Sequence, residues 1–405
     1  MFNFTFFPGS SGKPSNKTDI LFLVSVLLLW GLGIFTLLVC TPDTAERLFG
    51  KKYYFVNRQI IWSILGLIGF CAFALLPISV IKKALPFFVL GTLFFCILAL
   101  VPGIGSEKKG ANRWVSISHF VSFQPSEFAK IAVVLFLANL FDKYSDSDYT
   151  QGENQKNFLY PLIGLFIFVL VIFLQKDFST GVFVFVVGCI MFFVSGVKMT
   201  WFGPLIILAI PATILMIAIE PYRLMRVAAF FHPEEFTMTS GYQQFASKRA
   251  IISGGIWGNG LGSGLTAVSN IPEVQTDYIF AGWASAMGLL GVTAYFLVLI
   301  LFAARGFRIA VTSKNRFAAY GAFGCTTMIF LQSLMNIAVV CGALPTTGIP
   351  QPFFSSGGSS LLATFCMCGF ILNASSATAE NEWEEYDSSK NMDFSKKDGE
   401  FIKYE

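Results

Sequence analysis

The chain has 405 residues, of which 55% are hydrophobic and 13% charged, and its mean hydropathy is +0.66. Soluble proteins carry about 25% charged residues, so the composition excludes a soluble globular fold and predicts a protein embedded in a lipid bilayer. The net charge is only +4, and the basic residues are scattered between apolar stretches. Nucleic acid is therefore not an expected partner.

The eight cysteines lie in or beside apolar runs, without a CxxC pair or a histidine partner. Thiols in such surroundings behave as small hydrophobic side chains, so packing is their expected role. The two histidines, His119 and His232, lie far apart in the chain and have no cysteine or second histidine at ligand spacing. A metal site built on histidine is therefore not expected.

Ten apolar segments are long enough, or nearly long enough, to cross a bilayer as helices, which takes about 20 residues. They cover residues 19–40, 60–76, 85–101, 127–141, 158–174, 181–196, 201–219, 278–304, 317–340 and 359–372. The sequence therefore predicts an all-α integral membrane protein with about ten transmembrane helices. A large extracytoplasmic loop, residues 221–277, separates the seventh predicted span from the eighth.

An even number of spans puts both termini on one side of the membrane. The loop between the eighth and ninth spans is rich in arginine and lysine, which favours the cytoplasm for that side. Three regions follow: a cytoplasmic N-terminal segment (1–18), a membrane domain (19–374) and a disordered, acidic cytoplasmic tail (375–405). The start of the chain lacks the ordered regions of a cleaved signal peptide, so the first span is expected to be retained.

Four polar stretches fall on the predicted outer face, which indicates one composite site. They are GANRW with QPSEFAK (110–130), QKDFST (175–180), the loop 221–277, and LPTTGIPQPFFSSGGSS (344–360). The prolines and paired glycines of the last stretch would break a helix, so irregular backbone at or near membrane depth is predicted there. A plain turn between two helices is the alternative.

The loop contains the glycine-rich segment ISGGIWGNGLGSG (252–264). A phosphate cradle of the nucleotide-binding type needs a preceding strand and a closing Lys-Ser/Thr pair, and the sequence has neither. Close backbone packing, or re-entry into the membrane surface, is the expected role of these glycines.

Asp277 comes directly before the eighth predicted span. The dipole and free amides at the start of a helix favour an ionised carboxylate, which could act as a base at neutral pH. The alternative is a helix N-cap, a common use of aspartate. Glu127 and Asp177 are the other acids at the membrane edge, and either could instead pair with a basic residue to hold helices together.

Five basic residues share the predicted outer side: Arg113, Arg223, Arg226, Lys248 and Arg249. A guanidinium group binds phosphate oxygens in a bidentate way, so these residues could bind a lipid-linked pyrophosphate. Simple contact with lipid headgroups is the alternative for each of them.

Together these segments resemble the SEDS family (shape, elongation, division and sporulation proteins), polytopic glycosyltransferases that polymerise lipid II into peptidoglycan. The resemblance covers nearly the whole membrane portion and rests on six motifs in the family's order. They are GANRW with QPSEFAK, QKDFSTG, PYRLMR with GYQ, SGGIWGNGLGSG, IPEVQTDYIF and LPTTGIPQPFFSSGGSSL. The YRLMR and GGSSL segments are more similar to the division branch of the family than to its elongation branch.

The resemblance implies a ten-span fold with cytoplasmic termini in the bacterial inner membrane, at the division septum. It implies that Asp277 is the catalytic base, because this residue aligns with the family's essential aspartate. The substrate-binding residues that it implies are Arg113, Trp114, Glu127, Lys130, Arg223, Arg226, Lys248, Arg249, Gln275, Ser355 and Ser359.

The resemblance also implies the reaction partners. These are lipid II and undecaprenyl-linked glycan as substrates, a class B penicillin-binding protein that supplies the transpeptidase, and other division proteins. A divalent cation, Mg²⁺ or Mn²⁺, is the expected cofactor, and no organic cofactor is expected.

The chain departs from the family pattern around Asp277. Gln275 stands where the family has histidine, and Ser285 and Ala286 replace a pair of glutamates; Lys176 replaces a proline and Ser356 a tyrosine. These changes remove groups expected near the base. Two other functions stay open: a lipid II flippase, which inverted repeats or paired broken helices would favour, and a non-catalytic scaffold that recruits the transpeptidase.

Overall fold

The computed structural model describes residues 18–103, 105–108, 111–118, 121–144, 155–196, 202–232, 240–260 and 271–376. The predicted N-terminal segment up to residue 17, the tail beyond residue 376 and the end of the glycine-rich segment (261–264) lie outside these ranges. So do residues 233–239 of the large loop.

Within the described ranges the chain is mostly helical. The helices are α1 (Ile20–Cys40), α2 (Pro42–Phe49), α3 (Tyr54–Leu75), α4 (Ile78–Leu98), α5 (Pro125–Tyr144), α6 (Gln155–Leu174), α7 (Phe178–Val194), α8 (Phe202–Ile219), α9 (Pro221–Phe231), α10 (Ser240–Gly254), α11 (Ile279–Thr312), α12 (Arg316–Val340) and α13 (Gly358–Ser376). Each predicted span coincides with one of them, and α2, α9 and α10 are additional short helices. Six helices in the described ranges, α1, α3, α4, α11, α12 and α13, are long and apolar enough to cross a membrane. The chain is therefore a multi-pass helical membrane protein.

The all-α prediction is wrong in one respect, because the segment between α4 and α5 forms an antiparallel sheet. Its strands are β1 (Gly105–Lys108), β2 (Ala111–Ser118) and β3 (Val121–Phe123), in the order β1-β2-β3. Val115 of β2 is buried and pairs with Phe123 of β3. A search for long apolar runs passes over such strands, since they are short and alternate apolar with polar residues.

Helices α12 and α13 form the centre of the bundle. In their most apolar stretches 67% and 83% of the residues are buried, against 22% in α3, whose remaining surface is available to lipid. Small residues let α13 approach α3 closely: a side chain at Gly369 would collide with the backbone carbonyl of Phe70, and one at Gly66 with the ring of Phe365. Such close contacts stabilise helix pairs in a membrane, where burial from water contributes little.

The link between α12 and α13 is irregular backbone, as predicted, and is not a plain turn. Its carbonyl groups accept hydrogen bonds from side-chain amides on neighbouring helices. Gln59 bonds to Phe353 and Ser355 (3.3 and 3.2 Å), Gln332 to Pro350 (2.8 Å), Asn336 to Ile349 (2.9 Å) and Gln244 to Leu344 (2.9 Å). Non-helical backbone is tolerated inside a membrane protein when its polar groups are satisfied in this way.

The described part of the glycine-rich segment packs backbone against backbone, as expected. Helix α11 is broken at Gly288, which has a φ of 61°. Beyond the break, the amide of Leu289 donates to the carbonyl of Gly255 (2.9 Å) and that of Leu290 to Ile256 (3.3 Å). A side chain at Gly258 would collide with the backbone of Ala286. Glycine is therefore required here for close approach.

Helix α1 offers a matched pair of glycines that tests the position of the α12–α13 link. A Cβ at Gly33 would collide with the carbonyl group of Phe353, whereas a Cβ at Gly31 would meet nothing within 4 Å. We expect Gly33→Ala to lower the free energy of unfolding by about 1–3 kcal/mol, because backbone must move to admit the methyl group. The measurement is the thermal unfolding midpoint in detergent.

The control is Gly31→Ala, which places the same methyl group on the same helix and removes a glycine from its interior. Its midpoint should stay equal to wild type or rise slightly. Equal midpoints for the two variants would contradict the close approach of Phe353 to α1.

Candidate functional site

A cavity of about 290 Å³ lies where the α12–α13 link meets the turn before α11, strand β2 and the start of α5. It is lined by Arg113, Trp114, Gln124, Glu127, Glu273, Thr276, Asp277, Gly348, Pro350, Ser355, Ser356, Gly357, Ser359 and Ser360. Three of the four polar stretches expected to form one site therefore do so. The fourth, residues 175–180, does not line the cavity, but its Asp177 contacts Arg113 and Gln124 of the cavity wall.

Asp277 lies at the end of a turn whose backbone is held at two points. Its amide donates to the carbonyl of Glu273 (3.2 Å), and its carbonyl accepts a hydrogen bond from the side chain of Asn336 (2.9 Å). Helix α11 begins at Ile279 and its N-cap residue is Tyr278, so the interpretation of Asp277 as the N-cap is wrong. The aspartate instead lines the cavity.

Glycine at position 348 leaves room beside this carboxylate. A Cβ added at Gly348 would lie 3.7 Å from Oδ2 of Asp277, and the φ of +74° at this position disfavours any side chain. One wall of the cavity next to Asp277 is therefore bare backbone.

Glu273 and Gln275 belong to the same turn. The Glu273 carboxylate accepts hydrogen bonds from Nε2 of Gln275 (3.3 Å) and Oγ1 of Thr276 (3.2 Å). Gln275 is buried and does not line the cavity, and its backbone carbonyl accepts a hydrogen bond from the backbone amide of Ser356 (2.8 Å). The backbone of the turn is therefore joined to the α12–α13 link at this position.

Glu127 and Lys130 form a buried ion pair at the start of α5, with 2.7 Å between Oε2 and Nζ. Lys130 also donates to Oε1 of Gln332 (2.8 Å), whose own amide bonds to the carbonyl of Pro350. A buried pair of this kind is strongly destabilised when one partner is removed. Pairing with a basic residue, the alternative considered for Glu127, is what the structure shows, and it ties the cavity wall to the central helix α12; Lys130 itself does not line the cavity.

Asp177 is buried and holds the cationic wall of the cavity. It accepts hydrogen bonds from Gln124 (2.9 Å) and Ser126 (3.0 Å), and its Oδ1 lies 3.3 Å from Nη1 of Arg113. Of the alternatives considered for Asp177, the structure shows pairing with a basic residue. Because Arg113 is on the sheet and Asp177 precedes α7, this contact fixes where the guanidinium group lies.

The serines of the SSGGSS segment join its backbone to neighbouring elements. Ser355 donates to the carbonyl of Thr276 and accepts from the amide of Gln351 (2.7 Å). Ser359 accepts a hydrogen bond from the amide of Gln124 (3.0 Å). Both predicted serines therefore line the cavity while holding its walls together.

The four remaining basic residues of the prediction lie elsewhere. Arg223 donates to the carbonyl of Met216 (2.8 Å) and stacks over the ring of Phe178, and Arg226 donates to the carbonyl of Thr346 (3.1 Å). Lys248 and Arg249 lie on the exposed face of α10. None of the four lines this cavity.

The two positions that replace the family's glutamate pair also lie outside the cavity lining. Ser285 is buried against the glycine-rich segment, where its hydroxyl lies 3.3 Å from Nδ2 of Asn259. Ala286 packs against Gly258. Both positions lie where α11 packs closely against α10 and the turn that follows it.

Sequence reasoning missed Glu273, Gln332 and Asn336. A signal for the last two was available, because amide side chains inside an apolar span are expensive unless they have partners. As for metal ions, no three His, Cys, Asp or Glu side chains come together as a metal-binding group among the residues that the structure describes. A resident metal held by the protein alone therefore does not fit these residues.

The geometry can be compared with known proteins. The family model described as "Cell cycle protein", of the FtsW, RodA and SpoVE group, matches residues 19–380. A protein named "Probable peptidoglycan glycosyltransferase FtsW" from Geobacter sp. (strain M18) is 33% identical over 88% of this chain and 96% of its own length. A protein of the same name from Borreliella burgdorferi is 33% identical over 90% of this chain and 99% of its own length.

Solved structures share the fold. A chain from a structure described as "Structural coordination of polymerization and crosslinking by a peptidoglycan synthase complex" superimposes with a TM-score of 0.72. It is 24% identical, and the match covers 90% of this chain and 99% of that one. The motifs, the cavity and a family model that spans nearly the whole membrane domain agree. The chain therefore belongs to the FtsW/RodA/SpoVE family of cell cycle proteins.

Proposed function

We propose that this protein is a peptidoglycan glycosyltransferase that polymerises lipid II into β-1,4 glycan strands. The observation that carries the proposal is that one cavity is lined by both the carboxylate of Asp277 and the guanidinium of Arg113. The full-length relatives named as peptidoglycan glycosyltransferases support the reaction class.

In the proposed reaction, Asp277 accepts the proton of the GlcNAc 4-hydroxyl of an acceptor lipid II. The hydroxyl oxygen then attacks the anomeric carbon of the growing lipid-linked glycan, and the bond from that carbon to the pyrophosphate breaks. Undecaprenyl pyrophosphate leaves with the electron pair. A base is needed because an alcohol is a poor nucleophile, and displacement at an α-linked carbon gives a β bond without a covalent intermediate.

The contacts of the cavity's acids support Asp277 as the base. Glu127 is paired with Lys130, and protonating it would leave that buried lysine without its counter-ion. Glu273 accepts hydrogen bonds from Gln275 and Thr276, which orient it within its own turn. Asp277 lies beside the bare backbone of Gly348, where a sugar hydroxyl could approach.

Arg113 is the proposed partner of the leaving pyrophosphate. A preorganised cation stabilises charge that develops as a bond breaks, and Asp177 fixes the guanidinium before substrate arrives. Trp114, which also lines the cavity, offers an apolar surface for a sugar ring.

A divalent cation stays a proposal for the substrate complex. Mg²⁺ is commonly held by one or two carboxylates together with substrate phosphates. Asp277 is the cavity carboxylate that would share it with the substrate phosphates, and the ion would supply charge neutralisation at the pyrophosphate.

The wider setting is part of the same proposal: ten membrane spans, both termini in the cytoplasm, and the cavity facing the opposite side. Septal synthesis and a class B penicillin-binding partner are supported by the similarity to FtsW proteins and to a chain described as part of a peptidoglycan synthase complex. In this setting a partner would crosslink the strands made at the cavity.

We expect Asp277→Asn to reduce lipid II polymerisation by about 100-fold or more, since a general base contributes about 10²–10⁴-fold. The measurement is glycan strand length and yield from purified protein, partner and lipid II. The matched variant is Glu273→Gln, four residues away in the same turn, which should keep much more of the activity.

Two outcomes would contradict this assignment. Polymer made by Asp277→Asn at the wild-type rate would exclude Asp277 as the base. Lipid II translocation without polymer from the wild-type protein would favour the flippase. If the wild-type protein showed neither translocation nor polymer, the scaffold would be favoured.

We expect Arg113→Gln to weaken turnover by roughly 10- to 100-fold, because a hydrogen bond to a charged group contributes about 1.5–3 kcal/mol. The measurement is kcat/KM for lipid II. The comparison is Arg223→Gln, which removes a guanidinium that stacks over Phe178 outside the cavity. An equal loss in both variants would show that pyrophosphate binding is not confined to the cavity.

A further inference from the structure

Helix α10 exposes large apolar side chains that a helix on a water-exposed surface would bury. Its buried face carries small or polar residues: Gly241, Gln244, Ser247, Ala250 and Gly254. The opposite face is exposed and mixes apolar with polar side chains: Tyr242, Phe245, Lys248, Arg249, Ile252 and Ser253, continuing into Ile256 and Trp257 of the following turn. In a water-facing helix the apolar residues face the core. An exposed face that mixes aromatic and aliphatic side chains with cations indicates contact with a lipid interface.

The exposure at the end of this face is large. Ile252 is 77% exposed and Trp257 is 81% exposed. Exposed apolar side chains grouped in this way mark a surface for a partner or a membrane. A single exposed side chain would carry no such meaning, but here the exposed residues continue along one helix and its turn.

The turn that carries Trp257 is attached to a membrane helix. The amides of Leu289 and Leu290 bond to the carbonyls of Gly255 and Ile256, immediately after the break at Gly288. Residues 289–312 alone are long enough to cross the hydrocarbon core. Leu289 and Leu290 are exposed, so the lipid-facing surface of α11 begins at this turn. The apolar face of α10 is therefore continuous with a lipid-facing surface.

The charge of the face matches one kind of lipid. Arg249 is exposed, and its guanidinium lies over the ring of Phe245, 5.8 Å from the ring centre. Lys248 beside it lies across Gly342, next to the C-terminal end of α12, whose carbonyls attract a cation. Arg249 is thus the cation best placed to meet a headgroup, and tryptophan is the residue enriched at the boundary between headgroups and acyl chains.

We infer that α10 and the turn after it form a binding edge for anionic phospholipid. Ile252, Ile256 and Trp257 enter the acyl-chain boundary, and Arg249 binds the lipid phosphate. The edge is separate from the cavity, and no residue of it lines the cavity. It holds α10 against the membrane and so fixes the segment that packs on the start of α11.

The test uses the full chain in nanodiscs of phosphatidylcholine that contain a minor share of brominated phosphatidylglycerol or brominated phosphatidylcholine. The protein has seven tryptophans, so the signal of Trp257 is the difference between wild type and Trp257→Phe. We expect that signal to be quenched by brominated lipid, more strongly by phosphatidylglycerol than by phosphatidylcholine, and to resist aqueous iodide.

The variant Arg249→Gln tests the phosphate contact. It should lower the preference for phosphatidylglycerol over phosphatidylcholine about fivefold, since one cation near an anionic surface contributes about that factor. Its control is Arg308→Gln, which removes an exposed cation near the other end of α11. No substrate is involved, so the result does not depend on the proposed enzymatic activity.

Three results would overturn the inference. Quenching of Trp257 by iodide but not by brominated lipid would mean that the face meets water, or a protein partner absent from the nanodisc. Equal quenching by the two lipids would remove the anionic selectivity. An unchanged preference in Arg249→Gln, or an equal loss in Arg308→Gln, would remove the role of Arg249.

Discussion

The arrangement of the site depends on how the protein satisfies a stretch of non-helical backbone in the middle of a helical bundle. The link between α12 and α13 cannot bond to itself as a helix does, and its carbonyls would be costly if left without donors. Gln59, Gln244, Gln332 and Asn336 supply those donors from different elements. The polar side chains inside the apolar helices are thus placed where the link needs them, and the cavity forms along the surface that the link creates.

The same need to satisfy buried polar groups explains why most charged groups of the site are paired with one another. Lys130 pairs with Glu127 and reaches Gln332, so the first turn of α5 is connected to the link through one amide side chain. Asp177 performs the corresponding task for Arg113. In a low-dielectric interior an unpaired charge is expensive, and pairing makes each group both tolerable and fixed in position. Such preorganisation is what electrostatic stabilisation of a leaving group requires.

Much of this could be predicted from the sequence, and the reasons for the failures are physical. Asp277, Arg113, Trp114, Glu127, Ser355 and Ser359 were predicted from motifs and all line one cavity. The small sheet was missed because its strands are short. Arg223, Arg226, Lys248 and Arg249 were grouped with the site because charge and loop position give the side of the membrane on which a residue lies. Charge and loop position do not give the direction in which a short helix points a side chain. On α9 and α10 these four side chains do not line the cavity.

The hydrogen bonds of Asn336 limit how the cavity can change shape. Its single amide group bonds both to the carbonyl of Asp277 and to that of Ile349, which lies next to the Gly348 wall. The turn that carries the aspartate and the link that faces it are therefore fastened to the same point on α12, and they move as one body. The opposite wall, with Arg113 and Trp114, belongs to strand β2, and the contact of Arg113 with Asp177 ties it to the start of α7. The base and the cation are thus held from different helices, α12 and α7, so the distance between them changes only when these helices shift relative to one another.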